Sequence, residues 1–257
     1  IDISISQGAT ADLSGITTNA SSVIWSFTGG SGTLTNPTSE SSAQYVSDPT
    51  ELGPITLTLT AQPLTVNGTN CGSAVVDTLI ISINPAPTAD AGDNRAICLN
   101  EVTTLGVAST PGYSYEWTSV PFDGSFSDPF SSEPNVNPLV TTEYTVTVTD
   151  GAGGTAQDTV IVTVNPLPTV NAGNDDTICF GGTIVLGAPA PGGFSYAWTS
   201  IPAGFTSTLA DPIVAPIVTT QYFLTVTTDV TGCQDTAALV ITVENPPVID
   251  AGTDETI

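Results

Sequence analysis

At 257 residues the chain has room for two or three domains, and its charge is sparse and one-sided: charged residues are 10% of it, against about 25% in an average globular protein, with 25 acidic residues facing a single base, Arg95. A net charge of −24 excludes nucleic acid and direct membrane insertion through anionic lipid, which need a basic patch to neutralise phosphates, and leaves divalent cations, neutral sugars and other proteins as partners. The absence of histidine excludes nucleophile–histidine catalysis, and one arginine cannot make a phosphate clamp, so no enzyme is expected.

The mean hydropathy of +0.23 and the density of Val, Ile and Leu argue for buried cores rather than acidic disorder. No apolar run is long enough for a membrane helix. The chain opens at Ile1 with neither an initiator methionine nor a signal peptide, and an interior piece of a longer polypeptide is expected.

Self-comparison shows a period near eighty residues, marked by Asn84-Pro85, Asn165-Pro166 and Asn245-Pro246. Each pair is followed by a matching stretch: Ala89-Asp90-Ala91-Gly92, Val170-Asn171-Ala172-Gly173 and Ile249-Asp250-Ala251-Gly252. Ala96-Ile97-Cys98 parallels Thr177-Ile178-Cys179, and the chain stops at Thr256-Ile257. The expected organisation is a divergent sandwich over 1–84, two closer copies over 85–165 and 166–245, and the first strand of a fourth repeat over 246–257.

In the first repeat Val23, Trp25 and Phe27 alternate with polar residues, as do Ile55, Leu57 and Leu59. Period two is the strand signature. The second repeat offers Tyr113, Tyr115 and Trp117, then Tyr144, Val146 and Val148, then the β-branched run Val160 to Val164. Phe194, Tyr196 and Trp198, then Tyr222, Leu224 and Val226, then Leu239 to Val243 repeat the order in the third. No stretch has a helical period, and Gly and Pro punctuate the chain throughout. Short strands, frequent turns and one tryptophan per repeat predict an all-β chain of tandem immunoglobulin-like sandwiches in a linear array, with Trp25, Trp117, Trp198, Tyr144 and Tyr222 in the cores. Thr142-Glu143-Tyr144 and Thr220-Gln221-Tyr222 suggest a tyrosine corner, with Gly53-Pro54-Ile55 standing there in the first repeat.

The run Asp90 to Cys98, Tyr115 to Ser119 and Thr141 to Asp150 resembles the PKD-type and immunoglobulin-like repeats of Bacteroidota surface proteins. So does Asn171 to Cys179 with Tyr196 to Ser200, Thr219 to Asp229 and Gly232 to Asp235. The resemblance covers about two thirds of the chain and is weak in the first repeat. Such repeats fill giant secreted adhesins, the mobile SprB-type adhesins of gliding bacteria among them, and also serve as spacers in secreted hydrolases. It implies a stalk in a cell-surface adhesin, attached at the outer membrane, whose partners are neighbouring repeats, surface glycans or other surface proteins. A glycan-binding array and a static filament subunit are the rivals.

Four cysteines without histidine point to disulfides in an oxidising compartment rather than to zinc. A sandwich with an odd number of strands takes the chain in at one end and releases it at the other. Cys98 and Cys179 follow a first strand, near the outgoing end, whereas Cys71 and Cys233 precede a last strand, near the incoming end. A Cys179–Cys233 bridge would span the long axis of one sandwich, beyond the ~7 Å limit for Cα atoms. Cys98–Cys233 between the second and third repeats is therefore favoured, with Cys179–Cys233 still open and Cys71 and Cys179 left to pair outside the chain. The missing cysteines agree: the first repeat lacks the early one, and the second has Gly153-Gly154-Thr155 where the third has Gly232-Cys233. Such a staple would limit bending.

Carboxylates cluster near the repeat boundaries: Asp90 and Asp93, Asp175 and Asp176, then Asp250, Asp254 and Glu255. Calcium, with six to eight oxygen ligands, is the one cofactor this pattern suggests; turn-forming aspartates on a solvated surface are the alternative. Asn19-Ala20-Ser21 and Asn67-Gly68-Thr69 fit the N-glycan sequon, and Asp77-Thr78-Leu79 and Asp158-Thr159-Val160 resemble the Bacteroidota O-glycosylation motif.

Overall fold

A computed structural model of the chain describes residues 2–189, 191–250 and 252, which form strands and turns without a helix. Asp254, Glu255 and the expected strand at Thr256-Ile257 lie outside the described residues. The first repeat holds β1 (Ile3–Ser6), β2 (Thr10–Leu13), β3 (Ala20–Thr28), β4 (Thr33–Thr35), β5 (Ala43–Val46), β6 (Gly53–Pro63), β7 (Thr65–Val66), β8 (Thr69–Asn70) and β9 (Val75–Asn84). The second holds β10 (Arg95–Cys98), β11 (Thr103–Thr104), β12 (Ser114–Val120), β13 (Asn135–Val136), β14 (Thr142–Thr149) and β15 (Thr155–Asn165). The third holds β16 (Asp176–Cys179), β17 (Ile184–Val185), β18 (Phe194–Ile201), β19 (Ile213–Val214), β20 (Thr220–Thr228) and β21 (Gln234–Glu244).

Each stretch carries its own four-stranded sheet, in the orders β1-β9-β6-β3, β10-β15-β14-β12 and β16-β21-β20-β18. A smaller sheet opposes each: β2-β5-β4, β11-β13 and β17-β19. These are tandem immunoglobulin-like β-sandwiches. β1 and β16 run parallel to the last strands of their repeats, Ile3 beside Ile81 and Asp176 beside Ile241. By contacts the chain gathers into two compact units, Ile1–Arg95 with Val102–Val162, and Ala96–Glu101 with Thr163–Ile257. Division at 84, 165 and 245 remains a proposal from the sequence period.

The alternating residues face inward. Trp25, Leu57 and Ile81 are buried in the first repeat, Trp117, Tyr144 and Val160 in the second, Trp198, Tyr222 and Ile241 in the third. A buried indole N–H needs an acceptor. Trp25 Nε1 donates to the Ser39 carbonyl at 3.1 Å, Trp117 Nε1 to Ser131 at 3.0 Å and Trp198 Nε1 to Leu209 at 3.0 Å.

Two expectations need correction. Trp25 faces Leu59 and Trp117 faces Val146, so the counterpart of Tyr144 is Leu57, not Ile55. The tyrosine corner also differs: the Tyr144 hydroxyl donates to the carboxylate of Asp123, not to upstream backbone. Burial, and then that carboxylate, push the Tyr144 hydroxyl pKa well up.

With Leu57 in the tyrosine position, the first repeat takes its ring from the opposite sheet. Tyr45 on β5 meets Phe27 edge-on at 5.1 Å, as Phe126 meets Tyr144 and Phe205 meets Tyr222 at 5.4 Å. The Tyr45 hydroxyl lies 2.9 Å from both oxygens of Glu51, a carboxylate only 7% exposed, and donates to it. Ser31 N–H and Asp48 N–H donate to the same group at 2.6 and 3.2 Å. Burial, then Glu51, push the Tyr45 hydroxyl up to about 12. Tyr45→Phe would leave the buried carboxylate one donor short and is expected to destabilise the first repeat by about 1–3 kcal/mol. Amide hydrogen exchange in β5 and β6 checks this.

Candidate functional site: the joints between repeats

Parallel pairing of a first strand with a last strand brings three residues to equivalent places. Ser6, Cys98 and Cys179 each end a first strand. The next N–H in each case donates at 2.9 Å to the end of the last strand: Gln7 to Asn84, Leu99 to Asn165 and Phe180 to Glu244. A second equivalent position lies just before the last strand. Asp150 N–H donates to the Gly154 carbonyl at 3.0 Å, and Thr228 N–H donates to the Cys233 carbonyl at 2.9 Å, so Gly154 and Cys233 close the same hairpin.

At the second of these joints Cys98 and Cys233 form a disulfide with Cα atoms 5.5 Å apart. This separation is ordinary for such a bond. It links the end of β10 to the residue before β21. Cys71 and Cys179 are free and exposed.

The first joint brings together the corresponding residues without sulfur. Ser6, 1% exposed, donates its hydroxyl to Asp150 Oδ2 at 2.5 Å. Asp150 Oδ1 accepts the N–H groups of Ala152 and Gly154 at 2.9 and 2.8 Å. A Cβ on Gly154 would stand 2.3 Å from Ser6 Oγ and 2.5 Å from Ser6 Cβ, so only glycine fits. Gln7 adds a contact, its side-chain oxygen accepting Ala86 N–H at 3.1 Å. Burial alone would raise the Asp150 carboxyl, but the donors from Ser6, Gly154, Ala152 and Gly153 outweigh it and hold its pKa below the usual value. Sequence reasoning aligned Gly154 with Cys233 but missed its neighbours Ser6 and Asp150, although aligning Ser6 with Cys98 would have pointed to them.

Four of the acidic candidates for calcium, Asp90, Asp175, Asp176 and Asp250, accept backbone N–H groups. Asp90 and Asp250 accept the N–H two residues on, at Gly92 and Gly252, at 2.8 and 2.9 Å. Asp175 accepts Val240 N–H at 2.8 Å, and Asp176 accepts Thr177 N–H at 2.7 Å. Asp93 is exposed, and its backbone carbonyl accepts Arg95 Nε at 3.2 Å. Among the described residues no three acidic or thiol side chains gather as a metal would require.

Residues 91–164 match the family profile described as K319L-like, PKD domain. Comparison with curated proteins gives no match. Among solved structures the chain is similar to Sidekick-1 immunoglobulin domains 1–5, with 13% identity, a TM-score of 0.33 and 95% of this chain covered. It is similar to the I9–I11 tandem from titin, with 14% identity, a TM-score of 0.36, and 95% of this chain and 97% of that one covered. A third is the human Desmocollin-1 ectodomain, with 11% identity, a TM-score of 0.31 and 96% of this chain covered. The chain spans 57% of the Sidekick-1 structure and 61% of the Desmocollin-1 structure.

Two measurements follow. Alkylation of the unfolded, unreduced chain is expected to label Cys71 and Cys179 only, with Cys98 and Cys233 found in one linked peptide pair. The first joint should loosen in acid. A carboxyl with a depressed folded-state pKa contributes stability above its unfolded value, about 3.9, and loses it as pH falls through the folded value. Exchange protection near Ser6 and Gly154 is expected to hold at pH 5–7 and fall below pH ~4. Gly154→Ala should lower it at every pH, by about 1–3 kcal/mol of overpacking.

Proposed function

We propose that the chain is a non-enzymatic stalk segment of a bacterial cell-surface adhesin, holding a binding tip away from the cell and transmitting force along the polypeptide. One observation carries this reading: the Cys98–Cys233 disulfide ties the first strand of the second repeat to the late hairpin of the third. A pull on the chain therefore meets a covalent bond at that joint. Disulfides persist in oxidising compartments, which supports an extracellular location. The single Arg95 and the absence of lysine leave trypsin-like proteases almost nothing to cut, useful in an exposed stalk.

Attachment at the outer membrane and a part in gliding motility belong to the same proposal and rest on the sequence resemblance to Bacteroidota repeats. Antibody against this segment, followed on living cells, tests it. Label moving along the surface is the expected result; stationary label would favour a static filament or coat.

A second reading has its own observation. Phe122 and Phe130, 89% and 66% exposed, stand outside the inward-facing sets, on the loop between β12 and β13. Exposed aromatic rings offer sugars a stacking face. If the second repeat binds neutral glycans, Phe122→Ala with Phe130→Ala should abolish binding on a glycan array while leaving the melting temperature within about 1 °C.

A further inference from the structure

Beside the Ser6–Asp150 bond the surface dips into a cleft of about 340 Å³, lined by Ser4, Asn84, Gly112, Tyr113, Asp150 and Ala152 among others. That volume is at the small end of the ~300–1,000 Å³ range of small-molecule sites. Three pieces of backbone build it. Ile5 and Ile83 turn into the core of the first repeat, so their neighbours Ser4 on β1 and Asn84 on β9 face outward. The turn into β12 brings Gly112, with φ +83°, and the half-buried Tyr113. The hairpin between β14 and β15 brings Asp150 and Ala152. These two turns lie side by side: a Cβ on Gly151 would stand 3.8 Å from the Gly112 carbonyl oxygen.

The polar groups of the cleft are only partly used. Asn84 Nδ2 donates to Ser4 Oγ at 2.7 Å. The Asn84 side-chain oxygen, its second N–H, the Ser4 O–H and the Tyr113 hydroxyl have no partner among the described residues. Asp150 Oδ1 is filled by the N–H groups of Ala152 and Gly154, whereas Oδ2 takes one donor, Ser6, and has room for a second. Open donors and open acceptors therefore stand together, next to an aromatic ring.

The fold does not require these groups. At the equivalent positions of the later repeats Ala96 stands for Ser4, one step before the residue that pairs with its last strand as Ser4 does. Phe194 stands for Tyr113, two residues before the Tyr196 that faces Val226 as Tyr115 faces Val148. Thr228 stands for Asp150, since each donates its N–H to the residue before the last strand. The same sandwich is thus built with two fewer hydroxyls and no carboxylate at these three places.

A ligand for such a cleft has to offer donors and acceptors in one small volume. Sugar hydroxyls do both, and the C–H face of a pyranose ring packs on an aromatic ring. An anionic sugar meets repulsion from Asp150 and from a chain of net charge −24. An ammonium group brings donors alone and would leave the Asn84 N–H without an acceptor. We propose that this cleft binds one neutral pyranose residue. Asn84 and Ser4 pair with its hydroxyls, Asp150 Oδ2 accepts a further one, and Tyr113 packs on the ring. The site is separate from the exposed Phe122 and Phe130 and does not depend on them.

The test follows amide NMR signals of the full chain, carrying Cys71→Ser and Cys179→Ser to prevent thiol-linked oligomers, during titration with methyl pyranosides of glucose, galactose, mannose and N-acetylglucosamine. At least one sugar should shift the amides of Ser4, Tyr113 and Ala152 saturably. Ser4→Ala with Tyr113→Phe introduces residues that the other repeats already carry at these places, so the sandwiches stay folded. That double variant should weaken binding about tenfold or more, because two hydrogen-bonding hydroxyls are lost. Asn84→Ala should weaken it to a similar extent, while Phe122→Ala with Phe130→Ala should leave it unchanged. Absence of a saturable shift with all four sugars would overturn the proposal, as would shifts that Asn84→Ala and the double variant both leave in place. Shifts of the same amides by propylamine, with none by the sugars, would overturn it in favour of a cationic ligand.

Discussion

Each sandwich closes around an indole that has to satisfy its one N–H while its ring is buried. Trp25, Trp117 and Trp198 stand on β3, β12 and β18, the edge strands of their large sheets, and each reaches a backbone carbonyl in a loop at the small sheet, between β4 and β5 in the first repeat and leading into β13 and β19 in the others. An unpaired indole N–H in such a core would cost on the order of 1–3 kcal/mol, so this bond fixes where the loop passes. The Trp backbone N–H is tied to the same loop, donating to Pro37, Pro129 and Ser207 respectively. With the loop held at two points, the small sheet can be as short as two residues per strand, as β11-β13 and β17-β19 are. The glycine against the ring, Gly15, Gly106 or Gly187, follows from this arrangement: a Cβ there would press on the indole or on the loop carbonyl.

The parallel first strand is the other determinant. Pairing alongside the last strand delivers the chain to the end of the sheet from which the next repeat starts, so residues at its tip meet the late hairpin of the following repeat. Ser6 with Gly154 and Cys98 with Cys233 are two chemical solutions to one geometric coincidence. The alternation of apolar residues does not demand either, because both positions lie outside the cores. They depend on which ends of two sandwiches come together.

That separation explains what the residues reveal unaided. Strand periodicity and the core tryptophans are local patterns, and they read directly into the sheets observed. Strand parity, a topological argument that needs no coordinates, favoured the Cys98–Cys233 pair and left Cys179–Cys233 open; the structure has the first. Ser6 and Asp150 carry no such mark, since serine and aspartate are ordinary turn residues. The exchange of Tyr144 for Tyr45 was equally hidden: it moves ring volume from one sheet to the other, and only cross-sheet packing shows that Phe27 finds its partner on β5. The aspartates near the boundaries have a local reason for recurring. At Asp90, Asp175 and Asp250 a backbone N–H needs an acceptor, and the carboxylate supplies it.

The two joints differ in what can undo them. A serine–carboxylate bond is lost to protonation and re-forms, and its worth is limited to the few kcal/mol of a charge-assisted hydrogen bond. A disulfide is indifferent to pH in that range and yields only to reduction. Acid can therefore release the Ser6–Asp150 bond, while the disulfide keeps the end of β10 and the residue before β21 together. Gly154 makes the difference hard to erase by mutation: cysteine there would need its Cβ 2.5 Å from that of Ser6, far inside the ~3.8 Å of a disulfide, so the first joint would have to shift before it could be covalently closed.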